Sequence, residues 1–184
     1  MKVITGTARG MKLVTLDGED VRPTGEKVKE AVFSSIQFEI EGRMVLDLFA
    51  GSGALGIEAL SRGAKGCVFC DMNRNALNVV KGNLDHTKLR DKATTLYCDA
   101  FSYLARCGGR EKFGVIFIDP PYHNGLAQRA VIGAEQALSP GGVIVCETAA
   151  DEEMPETAGR LVLSKSARYG KTRIWYYRTG GTEQ

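Results

Sequence analysis

The chain has 184 residues, of which 43% are hydrophobic and 25% are charged, with 22 glycines and 5 prolines. These proportions are typical of a globular protein and exclude a disordered, collagen-like or disulfide-dense chain. A chain of this length can bury one hydrophobic core, so we predict a single domain. It has no apolar run of the roughly 20 residues that a membrane-spanning helix needs, and no apolar signal segment at its start. We therefore expect a monomeric, cytoplasmic protein.

The net charge of +2 hides an uneven distribution of charged residues. Residues 1–12 contain three basic and no acidic residues, and residues 160–178 contain six basic and no acidic residues. These two segments carry +9 together, so the rest of the chain carries −7. Basic blocks often contact phosphates, which indicates a nucleic-acid surface, although solvated strand and loop charges would give the same pattern.

The five cysteines are irregularly spaced and odd in number, which favours a reducing compartment over a disulfide framework. Cys67 and Cys70 have the spacing of a metal or redox pair. They lie in an apolar run predicted as a strand, however, where residues three apart point to opposite faces. Because no second pair exists and His86 and His123 are isolated, we predict no metal site.

The N-terminal segment differs in pattern from the rest of the chain. Residues 2–5 and 11–16 are predicted as short strands of a basic hairpin arm, which we assign to residues 1–24 of the same domain. A helix is predicted over Gly25–Phe38, with Thr24 as its N-cap.

Apolar strands alternate with helices from residue 44 onward, within a unit that we assign to residues 25–184. The predicted strands are Met44–Phe49, Gly66–Cys70, Thr94–Cys98, Val115–Ile118 and Val143–Cys146, and the predicted helices are Ala54–Arg62, Arg74–Leu84, Phe101–Arg106 and Leu126–Leu138. This alternation indicates an α/β fold with a mostly parallel sheet covered on both faces. Leu161–Ala167 and Thr172–Tyr177 flank a short turn, which predicts a terminal antiparallel hairpin.

A glycine-rich turn follows the first of these strands. Residues 51–56 read Gly-Ser-Gly-Ala-Leu-Gly, which matches G-x-G-x-x-G between a strand and a helix. The glycines let a ligand approach the backbone, and the helix N-terminus offers unpaired N–H groups. Asp71 ends the next strand, 18 residues after Gly53, where a carboxylate can accept both ribose hydroxyls. Together these features predict a nucleoside cofactor.

Three carboxylates indicate which nucleoside binds. Asp47 would repel the pyrophosphate of a dinucleotide but would attract a cationic amino-acid group. Asp99 follows the third strand and offers a further acceptor at the same edge of the sheet as Asp71. These acceptors suit the ammonium, ribose diol and adenine amine of S-adenosylmethionine, and they suit NAD poorly. The predicted cofactor-binding residues are Asp47, Phe49, Ala50, Gly51, Ser52, Gly53, Asp71, Asp99 and Ala100.

The sequence Asp119-Pro120-Pro121-Tyr122 closes the fourth strand and predicts the catalytic residues. The exocyclic amine of a base is a poor nucleophile, because its lone pair is delocalised into the ring. The Asp119 carboxylate and the Pro120 carbonyl can each accept an N–H and turn the lone pair toward a methyl donor. Pro121 stiffens the turn, since it has no N–H and a fixed φ. The ring of Tyr122 offers a face for base stacking, a role that does not need its hydroxyl.

Four stretches of the chain resemble one known family. They are Arg22-Pro23-Thr24 with its following helix, Val45–Gly63, Phe117–Tyr122 and Tyr169–Thr172. The four stretches extend over almost the whole chain. In them the chain is similar to the bacterial methyltransferases that share D-P-P-Y and modify guanine N2 in small-subunit ribosomal RNA. Members of that family more often have Glu where this chain has Asp71. The Asp side chain is shorter than Glu, but it should still reach the ribose.

The resemblance implies a Rossmann-like methyltransferase fold with a seven-stranded sheet. It implies S-adenosylmethionine as the donor and N2 of one guanine in 16S ribosomal RNA as the acceptor. The implied substrate is an assembled or assembling small ribosomal subunit rather than free RNA. The basic ends would contact this RNA through Arg9, Lys12, Arg22, Arg168, Lys171 and Arg173.

Other functions remain open on the residues alone. A DNA adenine or cytosine amino-methyltransferase uses the same D-P-P-Y chemistry, but it usually carries a target-recognition domain for which 184 residues leave no room. An NAD-dependent oxidoreductase fits Asp47 poorly, and an RNA-binding protein with a degenerate site would not need intact catalytic residues. Trp175, Tyr176 and Tyr177 could stack on RNA, although at least one must face the core. His123 is interpreted as a solvated loop residue, because no carboxylate near it in sequence would orient it.

Overall fold

The computed structural model describes residues 1–16, 25–107 and 112–180. Its helices are α1 (Glu26–Ser35), α2 (Ala54–Ser61), α3 (Arg74–Thr87), α4 (Ala100–Cys107) and α5 (Leu126–Ala134). Its strands are β1 (Met44–Asp47), β2 (Gly66–Asp71), β3 (Ala93–Tyr97), β4 (Phe113–Ile118), β5 (Leu138–Ala149), β6 (Thr157–Ala158), β7 (Leu161–Tyr169) and β8 (Thr172–Thr179).

One sheet with the strand order β3-β2-β1-β4-β5-β8-β7-β6 runs through the domain. The first five strands in this order are parallel, and β8, β7 and β6 continue the sheet with antiparallel pairing. This arrangement confirms the predicted α/β fold with a terminal antiparallel hairpin. The described sheet has eight strands rather than the expected seven, because the two-residue β6 pairs with β7 at its edge.

Helices cover both faces of the sheet and enclose two apolar clusters. Phe33 of α1, Ile57 of α2 and Val80 of α3 belong to one cluster. Leu104 of α4 and Val131 of α5 belong to the other. Burial on both faces explains why the central strands are continuous apolar runs rather than alternating ones.

Two predicted boundaries around α5 and β5 are wrong. The helix predicted to reach Leu138 ends at Ala134 and is followed by a single 3-10 turn, and Leu138 already belongs to β5. Pro140 disfavours helical backbone at Ser139, the residue before it, so the helix could not have continued past Leu138. The strand predicted as Val143–Cys146 extends to Ala149, because β5 pairs with β4 on one side and β8 on the other.

The N-terminal arm is hairpin-like, but it lacks the two predicted strands. One isolated bridge joins Lys2 to Lys12 in place of a regular ladder. Side chains of α2 also bind the arm's backbone: Glu58 accepts two of its N–H groups and Ser61 Oγ accepts a third. Helix α1 begins at Glu26 with Gly25 as its N-cap, whereas the predicted N-cap Thr24 lies outside the described residues.

A buried ion pair connects the arm to both helices. Lys29 Nζ lies 3.2 Å from Glu58 Oε2 and donates to the Lys2 carbonyl at 2.6 Å. The side chains of Lys29 and Glu58 are 1% and 0% exposed. Burial lowers the pKa of Lys29, and the adjacent Glu58 carboxylate opposes this shift. The pair therefore depends on close geometry, since each charge has lost its water.

Replacing Lys29 by Met should lower the free energy of unfolding by about 1.5–3 kcal/mol, the usual range for hydrogen bonds that involve a charged group. Urea denaturation followed by circular dichroism measures this change. Lys27→Met is the matched control, since Lys27 is exposed on the same helix. Equal stability of the two variants would mean that the pair does not stabilise the arm.

Candidate active site

A cavity of about 550 Å³ lies at the carboxyl ends of the parallel strands. It is next to β1, from which the chain moves first to β2 and β3 on one side and then to β4 on the other. Ligands of open α/β sheets bind at such a switch point, and the volume is typical of a small-molecule site. The lining includes most of the predicted residues, namely Asp47, Phe49, Ala50, Gly51, Ser52, Asp71, Asp99, Ala100, Asp119 and Pro121.

The glycine-rich turn forms one wall of this cavity and needs its glycines for two different reasons. Gly51 and Gly53 have positive φ values of 52° and 78°, a backbone conformation that favours glycine. A Cβ on Gly56 would lie 2.3 Å from Phe69 Cε1, so α2 can pack on β2 only without a side chain there. Gly53 does not line the cavity, because it packs inward against Val80 and Phe69.

Asp47 ends β1 beneath the turn and is 3% exposed. Its Oδ2 accepts the N–H of Gly56, in the first turn of α2, at 2.9 Å. Burial raises the pKa of Asp47 to about 7, although the hydrogen bond from Gly56 opposes this shift. A cation beside this carboxylate would favour its ionised form, so its position in the cavity fits the ammonium of S-adenosylmethionine.

Asp71 ends β2 and lines the cavity beside the turn, where backbone groups orient its carboxylate. Its Oδ2 accepts the N–H of Gly51 at 2.9 Å, and its Oδ1 accepts the N–H of Asn73 at 2.8 Å. A carboxylate has about four acceptor positions, so both oxygens can also accept ribose hydroxyls. The shorter Asp side chain is therefore compatible with the predicted role and contacts the turn directly.

Asp99 and Met72 line the same cavity. Asp99 Oδ2 accepts the N–H of Ser102 in the first turn of α4 at 2.8 Å, and the residue lines the cavity beside Ala100. Met72 also lines the cavity and is 63% exposed, so its side chain offers an apolar face to a ring. Sequence reasoning missed Met72, although its place directly after the acidic end of β2 was a usable signal.

The cysteines follow the prediction in part. Cys67 and Cys70 belong to different apolar clusters, which confirms that they point to opposite faces. Cys98 is only partly buried and lines the cavity, with its Sγ 2.8 Å from that of Cys70. Among the described residues, no group of three His, Cys, Asp or Glu side chains could hold a metal ion.

The Asp119–Tyr122 turn lies at the same cavity. Asp119 and Pro121 line it, and Pro120 is buried. The half-buried Tyr122 is outside the lining, and its hydroxyl donates to Glu147 Oε1 at 2.7 Å. The hydroxyl thus has partners that the stacking hypothesis did not include. The arrangement brings the predicted amine acceptors next to the carboxylates that fit the cofactor.

The N-terminal arm also reaches the cavity, which no sequence pattern indicated. Met1, Thr15 and Leu16 line it. Asn83 joins the arm to the glycine-rich turn: its Oδ1 accepts the Val14 N–H at 2.9 Å, and its Nδ2 donates to the carbonyls of Val14 and Ser52 at 2.9 and 3.0 Å. Asn83 is 1% exposed, and a polar residue on the buried face of α3 was the available signal.

The basic C-terminal segment carries less unpaired charge than its sequence indicates. Arg178 forms two hydrogen bonds with the Glu39 carboxylate, at 2.6 and 2.7 Å, and Arg160 pairs with Glu135 at 2.6 Å. Acidic residues from distant parts of the chain thus neutralise two of its cations.

The predicted RNA-contacting residues are distributed over two surfaces. Arg9 and Lys12 are exposed on the arm, and Arg168 and Lys171 are exposed at the β7–β8 turn. Arg173 is half-buried, with its guanidinium 5.0 Å from the centre of the Trp175 ring. Arg22 lies outside the described residues. Their contact with RNA stays a prediction.

Two further expectations about side chains change. Trp175, Tyr176 and Tyr177 are all buried, on alternating faces of β8, so stacking on RNA is wrong for all three. They pack in the two clusters, and Trp175 Nε1 donates to Thr148 Oγ1 at 2.9 Å. His123 is exposed as predicted, but a carboxylate distant in sequence lies near it, with Asp151 Oδ1 3.9 Å from His123 Nε2.

No helix in the described parts of the chain is long and apolar enough to cross a membrane.

The chain is similar to several known proteins. The family model described as "Conserved hypothetical protein 95" matches residues 1–178. A Bacillus subtilis protein, YlbH, provisionally named an rRNA methyltransferase, is 41% identical over 98% of this chain and 100% of its own. "Ribosomal RNA small subunit methyltransferase D" of Haemophilus influenzae is 36% identical over 84% of this chain and 81% of its own.

The solved structures agree on the fold. That of the Escherichia coli protein yhhF, provisionally named a methyltransferase, superposes with a TM-score of 0.86 at 31% identity. The match covers 97% of each chain. The likeness therefore includes the arm and the terminal hairpin as well as the central sheet.

Proposed function

We propose a function for this chain, which belongs to the Conserved hypothetical protein 95 family. It transfers a methyl group from S-adenosylmethionine to N2 of one guanine in 16S ribosomal RNA. The observation that carries this proposal is the meeting of two sets of residues at one cavity. Asp47, Asp71 and Asp99 fit the cofactor, and Asp119 and Pro121 of the D-P-P-Y turn lie beside them. The relatives named as small-subunit rRNA methyltransferases support the RNA class of the substrate.

The residues of the cavity divide between cofactor and base. Asp47 would bind the ammonium group, Asp71 the ribose hydroxyls, and Asp99 the adenine amine. When bound, S-adenosylmethionine supplies an electrophilic methyl group. Asp119 and the Pro120 carbonyl accept the two N–H groups of the guanine amine and so orient its lone pair. The local negative charge of Asp119 stabilises the positive charge that develops on the amine, and the excess proton then leaves to Asp119 or to water.

Methyl transfer from radiolabelled S-adenosylmethionine tests the proposal. Three acceptors should be compared: small ribosomal subunits from a methyl-deficient strain, 16S RNA freed of protein, and duplex DNA. We expect label in the subunits, recovered after nuclease digestion as N2-methylguanosine. Label in DNA would favour the amino-methyltransferase of DNA instead. Label in another nucleoside would contradict the guanine N2 assignment, and stronger labelling of free RNA would contradict the assembled substrate.

The β7–β8 turn is a basic surface beside the predicted catalytic turn. Lys171 is adjacent to Thr172, whose Oγ1 lies 3.2 Å from the Tyr122 hydroxyl. Arg168 is at the other side of the turn, and both cations are exposed. RNA that brings a guanine to Tyr122 would therefore pass within reach of these two side chains.

Replacing both Arg168 and Lys171 by Gln should weaken binding to the small subunit and leave cofactor affinity unchanged. Affinity falls as salt rises, and each lost phosphate contact makes the slope of log affinity against log salt shallower by about 0.7–0.9. Losing both cations should therefore make it shallower by roughly 1.4–1.8. Filter binding across a salt series measures this slope. The matched control is a double variant with Lys65→Gln and Lys92→Gln. These exposed cations precede β2 and β3, toward the other edge of the sheet. A slope equal to that of the control would remove the turn from the RNA surface.

A further inference from the structure

We infer that Glu147 and Thr172 are positioning residues that hold the Tyr122 ring in place, which rests on the proposed role of this ring in binding the base. The Tyr122 hydroxyl donates to Glu147 Oε1 at 2.7 Å and lies 3.2 Å from Thr172 Oγ1. A tyrosine hydroxyl has one proton. Because Glu147 accepts that proton, the Thr172 hydroxyl donates its own to the Tyr122 oxygen.

The sheet topology brings these two side chains to the same place. In the antiparallel β5–β8 pair, Glu147 is opposite Ile174, and Ala149 is opposite Thr172. Thr172 is thus two residues from the partner of Glu147, so the two side chains are diagonal neighbours on one face. Strand β5 is next to β4, which ends at the Asp119–Tyr122 turn. The tip of the Tyr122 ring is therefore attached to the two strands that follow the catalytic strand in the sheet.

Burial makes this attachment strong. Glu147 is only 4% exposed, and a buried carboxylate is strongly destabilising unless hydrogen bonds replace its water. A hydroxyl that donates to a carboxylate forms one of the shorter and stronger hydrogen bonds in proteins. The bond therefore restricts rotation of Tyr122 about its side-chain torsions. A ring held in this way receives the base in one orientation, which methyl transfer to a particular amine requires.

This inference gives a physical role to a stretch that the cofactor and the amine do not use. Tyr169–Thr172 is one of the four stretches of the family resemblance, and its last residue contacts the last residue of the D-P-P-Y turn. It also changes the expectation that the role of Tyr122 does not need its hydroxyl. Loss of the hydroxyl keeps the stacking face but releases the ring and leaves Glu147 without this donor.

A double-variant cycle on Tyr122→Phe and Thr172→Val tests the inference. In single-turnover transfer to methyl-deficient small subunits, each change should slow the reaction roughly 10- to 100-fold, the scale of a small misplacement of a reacting group. Cofactor affinity should stay unchanged. In the Tyr122→Phe background, Thr172→Val should cause no further loss, because its partner hydroxyl is already absent. Thr172→Ser, which keeps a hydroxyl, should restore the rate, and Thr179→Val at the other end of β8 should have no effect.

Melting temperatures of the same variants give a readout that does not depend on activity. If the contact exists, the double variant should melt at the temperature of Tyr122→Phe alone. Additive losses in melting temperature would overturn the contact. A normal rate for Thr172→Val, or an equal loss in both backgrounds, would overturn the positioning role. Absence of transfer by the unchanged protein would contradict the proposed function, and with it the base-positioning role. Non-additive changes in melting temperature would in that case still show the contact.

Discussion

Asp119→Asn should lower the single-turnover rate of methyl transfer by roughly 100- to 1,000-fold, the usual effect of removing one group that stabilises developing charge. Asn keeps one acceptor oxygen but has no negative charge. Affinity for the small subunit should change little, because the phosphate contacts that we predict lie on the arm and the β7–β8 turn. Asp119→Ala should be slower still, since it removes the acceptor as well.

The chemistry of guanine explains why charge at Asp119 matters. The N2 amine is neutral, and removing one of its protons before attack would be very unfavourable. Attack through a reoriented lone pair instead produces a cationic amine, which loses its proton easily. Asp119 is thus expected to orient the amine and stabilise this charge rather than to act as a strong base.

The measurement is single-turnover transfer to methyl-deficient small subunits. Asp151→Asn is the matched control, because it removes an exposed carboxylate that lies near His123 and does not line the cavity. A rate for Asp119→Asn equal to that of the control would show that charge at this position is not required.

Asp47→Asn should weaken S-adenosylmethionine binding by roughly 100-fold or more. Truncating one partner of a buried charge pair costs about 2–5 kcal/mol. The side chain is nearly isosteric, so the hydrogen bond from Gly56 can be kept through the amide oxygen. Isothermal titration calorimetry measures the affinity. Asp91→Asn, an exposed change beside β3, is the control and should bind normally. Equal affinities would exclude Asp47 as the partner of the ammonium.

The pKa of Asp47 is raised to about 7, which predicts that cofactor affinity depends on pH. The ionised form binds a cation, and it predominates above pH 7. Affinity should therefore rise with pH toward a plateau above 7 and fall by up to about tenfold for each pH unit below it. Asp47→Asn should remove this dependence. A profile through pH 7 that is the same for both proteins would contradict the assignment.

The meeting of the predicted cofactor-binding carboxylates at one cavity was predictable, because they are local signals at the ends of strands. In a parallel sheet, the residues that follow each strand meet at one edge, so Asp47, Asp71 and Asp99 could be brought together without coordinates. The same reasoning placed Asp119 beside them. It could not show that Asp71 is held by Gly51, since that hydrogen bond depends on side-chain reach rather than on strand order.

Errors arose where distant segments compete for the same groups. Arg160 and Arg178 belong to a segment without acidic residues and so counted toward its basic charge, but Glu135 and Glu39 pair with them in the fold. The alternation of Trp175, Tyr176 and Tyr177 suggested one exposed face. Both faces of β8 are covered, so neither face leaves an aromatic ring for RNA.

The sequence by itself determined the α/β fold, the glycine-rich turn between β1 and α2, and the place of the D-P-P-Y turn after β4, because each is encoded in hydrophobic periodicity and short motifs. The tertiary structure alone decided which side chains support them. Asn83 joins the arm to the cofactor turn, Glu58 accepts the arm's backbone N–H groups, and Glu147 holds Tyr122. These partners are between 25 and 69 residues apart in sequence. Buried polar groups must find hydrogen bonds wherever the packed chain provides them, and that choice follows from packing rather than from any local pattern.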